Sequence, residues 1–174
     1  MGVEETTVPP HEHEQHVKHK KLVIIASSGN LDDAWAQMII ATAGAAMEME
    51  TMIFFTFWGL FSLVRDDVRI TGENWMQKMV TAIDRPGAKH LKLGRMNFVG
   101  AGPAMMMKLA KEHKVAGPAE LLQMAVDMGV KLVPCQMTMD MMGLKREDMI
   151  DGVTEPMGAT AMLLEAQDAV TFFI

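Results

Sequence analysis

The sequence predicts an α/β fold, a three-layer α/β/α sandwich around a mainly parallel sheet of about five strands. Three observations carry that expectation. Short continuous apolar runs such as "KLVIIAS" read as strands buried on both faces, as parallel strands are. Between them lie segments with apolar residues at helical spacing and with Gly or Pro at their ends. The two kinds alternate along the chain, which is the rhythm of β-α-β units.

"KLVIIAS", from Lys21, is the first strand, and "SSGN" breaks it. Asn30 is suited to cap the following helix, whose apolar face is read from Trp35, Met38, Ile39, Thr42 and Ala46. "ETMIFFTF" is a second buried strand, rich in aromatic and β-branched residues. Gly59 to Val64 reads as a short helix and "NWMQKMVTAI" as another. Between Arg85 and Gly102 runs a Gly-rich loop in which "GRMNFV" has the composition of a short strand. Pro103 is placed to open a helix, "PAMMMKLAKEH". "GPAELLQMAVDMG" is the clearest helix, with Pro118 at its start, Gly129 past its end, and Leu121, Met124, Ala125 and Met128 on one face. "VKLVPC" is the next strand, a helix is expected from Pro156 to Gln167, and "AVTFFI" is the last strand.

The 174 residues, 49% of them hydrophobic, are enough to bury a full core, and their number predicts one domain, at 21–174. A net charge of −6 argues against nucleic acid as a partner. A single cysteine gives no disulfide framework, so a reducing cytoplasm is the expected compartment. Residues 1–20 contain no apolar stretch of the signal-peptide kind. "TMIFFTFWGLFSLV" is too short to span a bilayer, and membrane contact is not expected. The segment 1–20 holds two prolines and His11, His13, His16 and His19, with almost no apolar periodicity. It reads as a flexible His-rich tail, since it cannot bury enough apolar surface to offset its ordering entropy. No metal site is assigned to it, because such a tail pre-organises no ligand geometry.

In an open parallel sheet, sites lie beyond the carboxyl ends of the strands. "SSGN", "FWGL" and "PCQMT" should converge there, and the third contains Cys135, the only cysteine. If the residues after it turn into a helix, the amide groups near Met137 and Thr138 face the sulfur. The partial positive charge of a helix amino terminus favours the reactive thiolate form. Thr138 is expected to add a hydroxyl hydrogen bond, and Pro134 to stiffen the approach. Gly29 and Asn30 are expected to shape the pocket. The opposing reading is that Cys135 is a small buried hydrophobe, as most free cysteines are.

The spacing excludes several chemistries. A phosphatase loop needs arginine where Met141 stands, and a thioredoxin-type pair needs a second cysteine. A papain-like site needs a histidine in the folded body, and His90 and His113 lie outside the strand-end loops. A Cu(I) reading draws on the thiol of Cys135 and the thioethers of Met137, Met139, Met141 and Met142. With 20 methionines in the chain, that clustering carries little weight. No cofactor is expected. What remains is a thiolate with no internal partner, able to carry sulfur as a persulfide or to form mixed disulfides.

"KLGRMNFVGAGPAMMMK", "VKLVPCQMTMDMMGLKREDMIDG" and "GATAMLLEAQDAVTFFI" resemble the DsrE/DsrF-like (DsrEFH) proteins of sulfur metabolism, in their stand-alone branch. The likeness covers about residues 21–174, in order, and is most specific around the cysteine. It implies a homo-oligomer, a trimer or larger, acting as a cytoplasmic sulfur carrier or sulfurtransferase. It implies that Cys135 holds sulfane sulfur or a thiosulfonate group. The implied partners are a TusA-type carrier, a rhodanese or a heterodisulfide-reductase-like complex. The alternative is a non-catalytic interaction or regulatory module whose cysteine is structural.

Overall fold

The structure, a computed structural model, describes residues 21–68, 87, 88, 91 and 101–174. The tail at 1–20, the helix expected over "NWMQKMVTAI" and the strand expected within "GRMNFV" lie outside the described residues.

Among the described residues four strands form one parallel sheet: β1 (Lys21–Ala26), β2 (Glu50–Phe55), β3 (Lys131–Pro134) and β4 (Val170–Phe173), in the order β3-β2-β1-β4. The expected fifth strand is the one outside the described residues. Register is set by pairs such as Ile24 with Ile53, Ile53 with Leu132, and Ile24 with Phe172. Side chains alternate between the two faces, as the pleat requires. Leu22, Ile24, Ala26, Ile53, Phe55 and Leu132 enter the larger core, while Val23, Met52, Phe54 and Val133 enter a smaller one.

Among the described residues the helices are α1 (Leu31–Ala46), α2 (Ala101–Glu112), α3 (Pro118–Asp127), α4 (Gln136–Met142) and α5 (Ala159–Glu165), with 3-10 turns at Phe57–Leu63 and Arg146–Asp148. α1 and α3 pack together against the larger core. Each fully buried large apolar side chain there contributes about 1.5–3 kcal/mol. The buried stripe of α1 is Leu31, Ala34, Trp35, Gln37, Met38, Ala41 and Gly44, which keeps Trp35 and Met38 of the face expected but leaves Ile39 and Ala46 exposed. Trp35 Nε1 donates to the Ala116 carbonyl at 2.9 Å, tying α1 to the turn before α3. In α3 the buried residues are Pro118, Leu121, Leu122 and Ala125, and Met124 and Met128 face outward. α2 begins two residues before Pro103, which sits in the first turn, where its missing N–H leaves no helical bond unmade. The short helix expected from Gly59 is a 3-10 turn that starts at Phe57.

The other face of the sheet carries a thinner layer. Of α5, only Met162 is buried, within the smaller core. α5 is shorter than expected because Val153–Met157 runs as an extended strap along the free edge of β3. Thr154 N–H donates to the Leu132 carbonyl at 2.9 Å, Met157 N–H to Pro134 at 3.0 Å, and Gln136 N–H to Met157 at 3.1 Å. Pro134 tolerates this edge position because its carbonyl accepts from the strap while the next amide, Cys135, donates to Phe55. At the amino end of the sheet, Glu50 joins Lys131 and Lys21, and Lys21 also reaches Glu165 at 3.5 Å.

Candidate functional site

Cys135 stands where β3 ends and α4 begins, as the sequence predicts. Its N–H donates to the Phe55 carbonyl at 2.8 Å, and its own carbonyl accepts the Met139 amide at 3.0 Å. The first bond continues the β2–β3 ladder; the second is the first turn of α4. Gly143, left-handed at φ 69°, stops that helix after seven residues, a conformation that glycine adopts without steric cost.

The side chain is 2% exposed. It belongs to the smaller core, with Val23, Met52, Phe54, Val133 and Met162, and with Met157 of the strap packed against them. Within that cluster Met157 pairs with Cys135 itself, whereas Val23 and Met52 lie in register with Lys131 at the amino end of the sheet. The sulfur occupies the N-cap position of α4 but accepts no hydrogen bond from the amides of its first turn. That differs from the arrangement expected, in which the amides near Met137 and Thr138 faced it. The Met137 side chain is 65% exposed.

Thr138 is placed differently from expectation as well. It is fully buried, and its Oγ1 lies 3.0 Å from Thr56 Oγ1, with the Phe57 amide donating to it at 3.3 Å. The hydroxyl therefore fastens the start of α4 to the end of β2 and is not spent on the thiol. It holds Phe57 at φ 45°, a left-handed conformation that costs a bulky residue about 1–3 kcal/mol. Thr138 positions the loop beside Cys135, and Thr56 is its partner. Sequence reading missed Thr56, although a threonine inside "FFTFW" is the kind of lone polar group in an apolar run that must find a buried partner.

Gly29 and Asn30 lie at the same edge of the sheet, in the loop between β1 and α1. A Cβ on Gly29 would come 2.8 Å from the Trp58 carbonyl oxygen, so glycine lets the β1 loop close on the 3-10 turn. Asn30 is the N-cap of α1 by backbone position; its side-chain amide donates to Asp33 Oδ2 at 3.1 Å and does not cap the helix. Phe57 and Trp58, both half exposed, rim this edge.

The four methionines of the copper reading diverge. Met139 and Met142 enter the larger core on the opposite face, while Met137 and Met141 are exposed. Among the described residues no group of three or more His, Cys, Asp and Glu is arranged to hold a metal. A cleft of about 420 Å³ is lined by Ser62, Arg65, Asp66, Gln123 and Asp151, among others, and not by Cys135. No helix among the described residues is long and apolar enough to cross a membrane.

The profile of the DsrE/DsrF/DrsH-like family matches residues 18–173. YrkE of Bacillus subtilis, itself uncharacterised, is 37% identical over 156 residues, covering 89% of this chain and 97% of that protein. A protein of Allochromatium vinosum named sulfur carrier protein DsrE2 is 34% identical over 155 residues, covering 83% and 91%. The crystal structure of the ychN protein from E. coli superposes with a TM-score of 0.54 at 14% identity, over 89% of this chain and 99% of that one, a likeness of fold.

Proposed function

The chain belongs to the DsrE/DsrF/DrsH-like family, and we propose that it is a sulfur carrier or sulfurtransferase of the cytoplasm, with Cys135 as the atom that holds the cargo. The family and the sulfur-carrier name of one relative support a role in sulfur trafficking. The single observation that carries the assignment to Cys135 is its position. The one thiol of the chain stands at the carboxyl end of β3, the edge of a parallel sheet where sites form.

In loading, the Cys135 thiolate attacks the outer sulfur of a donor persulfide. The donor's S–S bond breaks, its thiolate leaves, and Cys135 keeps the outer sulfur as a persulfide. Unloading is the same exchange in reverse. An acceptor thiolate attacks the outer sulfur, and the Cys135 thiolate leaves. A solitary thiol has no internal route of release, so the acceptor is a cysteine on another protein, a TusA-type carrier, a rhodanese or a heterodisulfide-reductase-like complex. A thiosulfonate group is the other cargo that such a cysteine takes.

A homo-oligomer, a trimer or larger, is part of the same proposal. Leu163 and Leu164 of α5 and Phe173 of β4 are exposed on or beside the thin layer, apolar surface of the kind that subunits cover in one another.

Mixing the sulfur-loaded protein with an unloaded TusA-type carrier and following both masses tests the function. Sulfur should leave Cys135 and appear on the carrier's cysteine. A loaded protein that gives its sulfur to no carrier of these classes contradicts the transfer role.

A further inference from the structure

We infer that the cleft between the end of the 3-10 turn at Phe57–Leu63, residues 150–152 and α3 is a binding site for a free aliphatic α-amino acid. Cys135 does not line it, and the inference does not rest on the carrier reading.

Backbone bonds build the cleft. Arg65 N–H donates to the Asp148 carbonyl at 3.0 Å and Ile150 N–H to the Leu63 carbonyl at 2.9 Å, around an antiparallel bridge of Val64 with Met149. The same register, carried past Ile150, sets Asp151 opposite Ser62. Gly152, left-handed at φ 83°, then lets the chain close on α3, where a Cβ would come 2.6 Å from Val126 Cγ1. The space between these elements is about 420 Å³, within the range of small-ligand sites.

Val64, Leu122, Val126 and Ile150 give the cleft an apolar surface. Ser62 also lines it; the residue is 2% exposed, and its Oγ has no hydrogen-bond partner. A buried hydroxyl left unpaired costs stability, and an acceptor brought by a ligand relieves that cost. Arg65 is held at the cleft by bonds from Nε to Asp67 Oδ1 at 3.1 Å and from Nη1 to the Glu147 carbonyl at 3.0 Å. Its guanidinium carries more N–H groups than these bonds use. Asp66 and Asp151 supply charge of the opposite sign.

The combination selects a zwitterion. A simple anion would meet the carboxylates of Asp66 and Asp151, and a simple cation would bring no acceptor for Ser62 and Arg65. An α-amino acid answers both. Its carboxylate accepts from Ser62 Oγ and the Arg65 guanidinium, its ammonium donates to Asp151, and an aliphatic side chain covers the apolar surface.

The test titrates the full chain by calorimetry with L-valine, L-leucine and L-methionine, then with the N-acetyl and methyl-ester derivatives of whichever binds best. Ser62→Ala and Asp151→Asn are titrated alongside, and thermal unfolding confirms that each is folded. At least one free amino acid should bind saturably at millimolar concentration or below. The methyl ester, which lacks the carboxylate, should bind about tenfold more weakly, and the N-acetyl derivative several-fold more weakly. Ser62→Ala should weaken binding about tenfold without lowering the unfolding midpoint, because only the complex uses the hydroxyl. Asp151→Asn, at an exposed position, should weaken it about threefold. Binding of none of these amino acids at millimolar concentration overturns the inference. So does binding that the blocked derivatives match, or that both folded variants leave unchanged.

Discussion

Thr56 and Thr138, 82 positions apart in the chain, share a buried hydrogen bond of 3.0 Å between their hydroxyls. The Phe57 amide adds a second bond to Thr138. The pair joins the end of β2 to the start of α4, and so fixes the loop on either side of Cys135.

Thr138→Val should therefore destabilise the protein, by about 1–3 kcal/mol, since it strands the Thr56 hydroxyl and the Phe57 amide in the interior. Thr56→Val should cost less than Thr138→Val, because it leaves the Phe57 bond in place. The double variant should cost less than the sum of the two. Denaturant midpoints of the four proteins check this. Alkylation of Cys135 should not slow in Thr138→Val. Slower alkylation at unchanged stability would show Thr138 acting on the thiol itself.

Burial sets the second expectation. A reagent reaches Cys135 only when the strap at Val153–Met157 or its neighbours move, so native alkylation should be slow relative to a free thiol and slower for bulky maleimides than for iodoacetamide. Thr154 holds the strap twice, through its N–H at 2.9 Å and its Oγ1 at 3.0 Å, both to the Leu132 carbonyl. Thr154→Val removes the second bond, and alkylation should then speed up several-fold with little change in the unfolding midpoint. Equal rates in the two proteins would mean that the strap does not limit access.

The strands and the position of Cys135 were legible in the sequence because they rest on strong local signals. "KLVIIA", "ETMIFF" and "KLVP" are apolar runs of strand length, and proline followed by a polar turn marks the end of β3. Helix faces were less legible. Ile39, Met124 and Met128 fit an apolar face by spacing, yet all three are exposed, because Gln37 and Gly44 in α1 and Leu122 in α3 turn inward instead. The strap left no periodic trace, since it is held by backbone bonds and interrupted by Pro156. The role of Thr138 was misread because its partner, Thr56, is brought to it only by the pairing of β2 with β3.

The amino end of the sheet provides a test of acid sensitivity. The Lys131 ammonium beside Glu50 holds its carboxyl below the usual carboxylate range, and Glu50 in turn raises Lys131. A depressed carboxyl contributes stability above its unfolded pKa and loses it as pH falls through the folded one. A raised ammonium contributes fully below its unfolded pKa and loses stability as pH rises through the folded one. The pair thus stabilises across the neutral range and fades at both ends. Both side chains are about half exposed, so Glu50→Gln should cost only ~0.2–1 kcal/mol at neutral pH. Unfolding curves of variant and wild type should converge once acid protonates Glu50. A gap that persists into strong acid would place the effect of the substitution elsewhere.

The most direct measurement is the mass of the protein, intact and after peptide mapping, following incubation with a sulfane-sulfur donor, for wild type and for Cys135→Ser. The expected result is added sulfur on the wild type, mapped to the peptide that contains Cys135, and none on a folded Cys135→Ser, whose alcohol lacks the acidity and nucleophilicity to take it. An adduct that persists in Cys135→Ser, or its absence from folded wild type, contradicts Cys135 as the sulfur-holding atom.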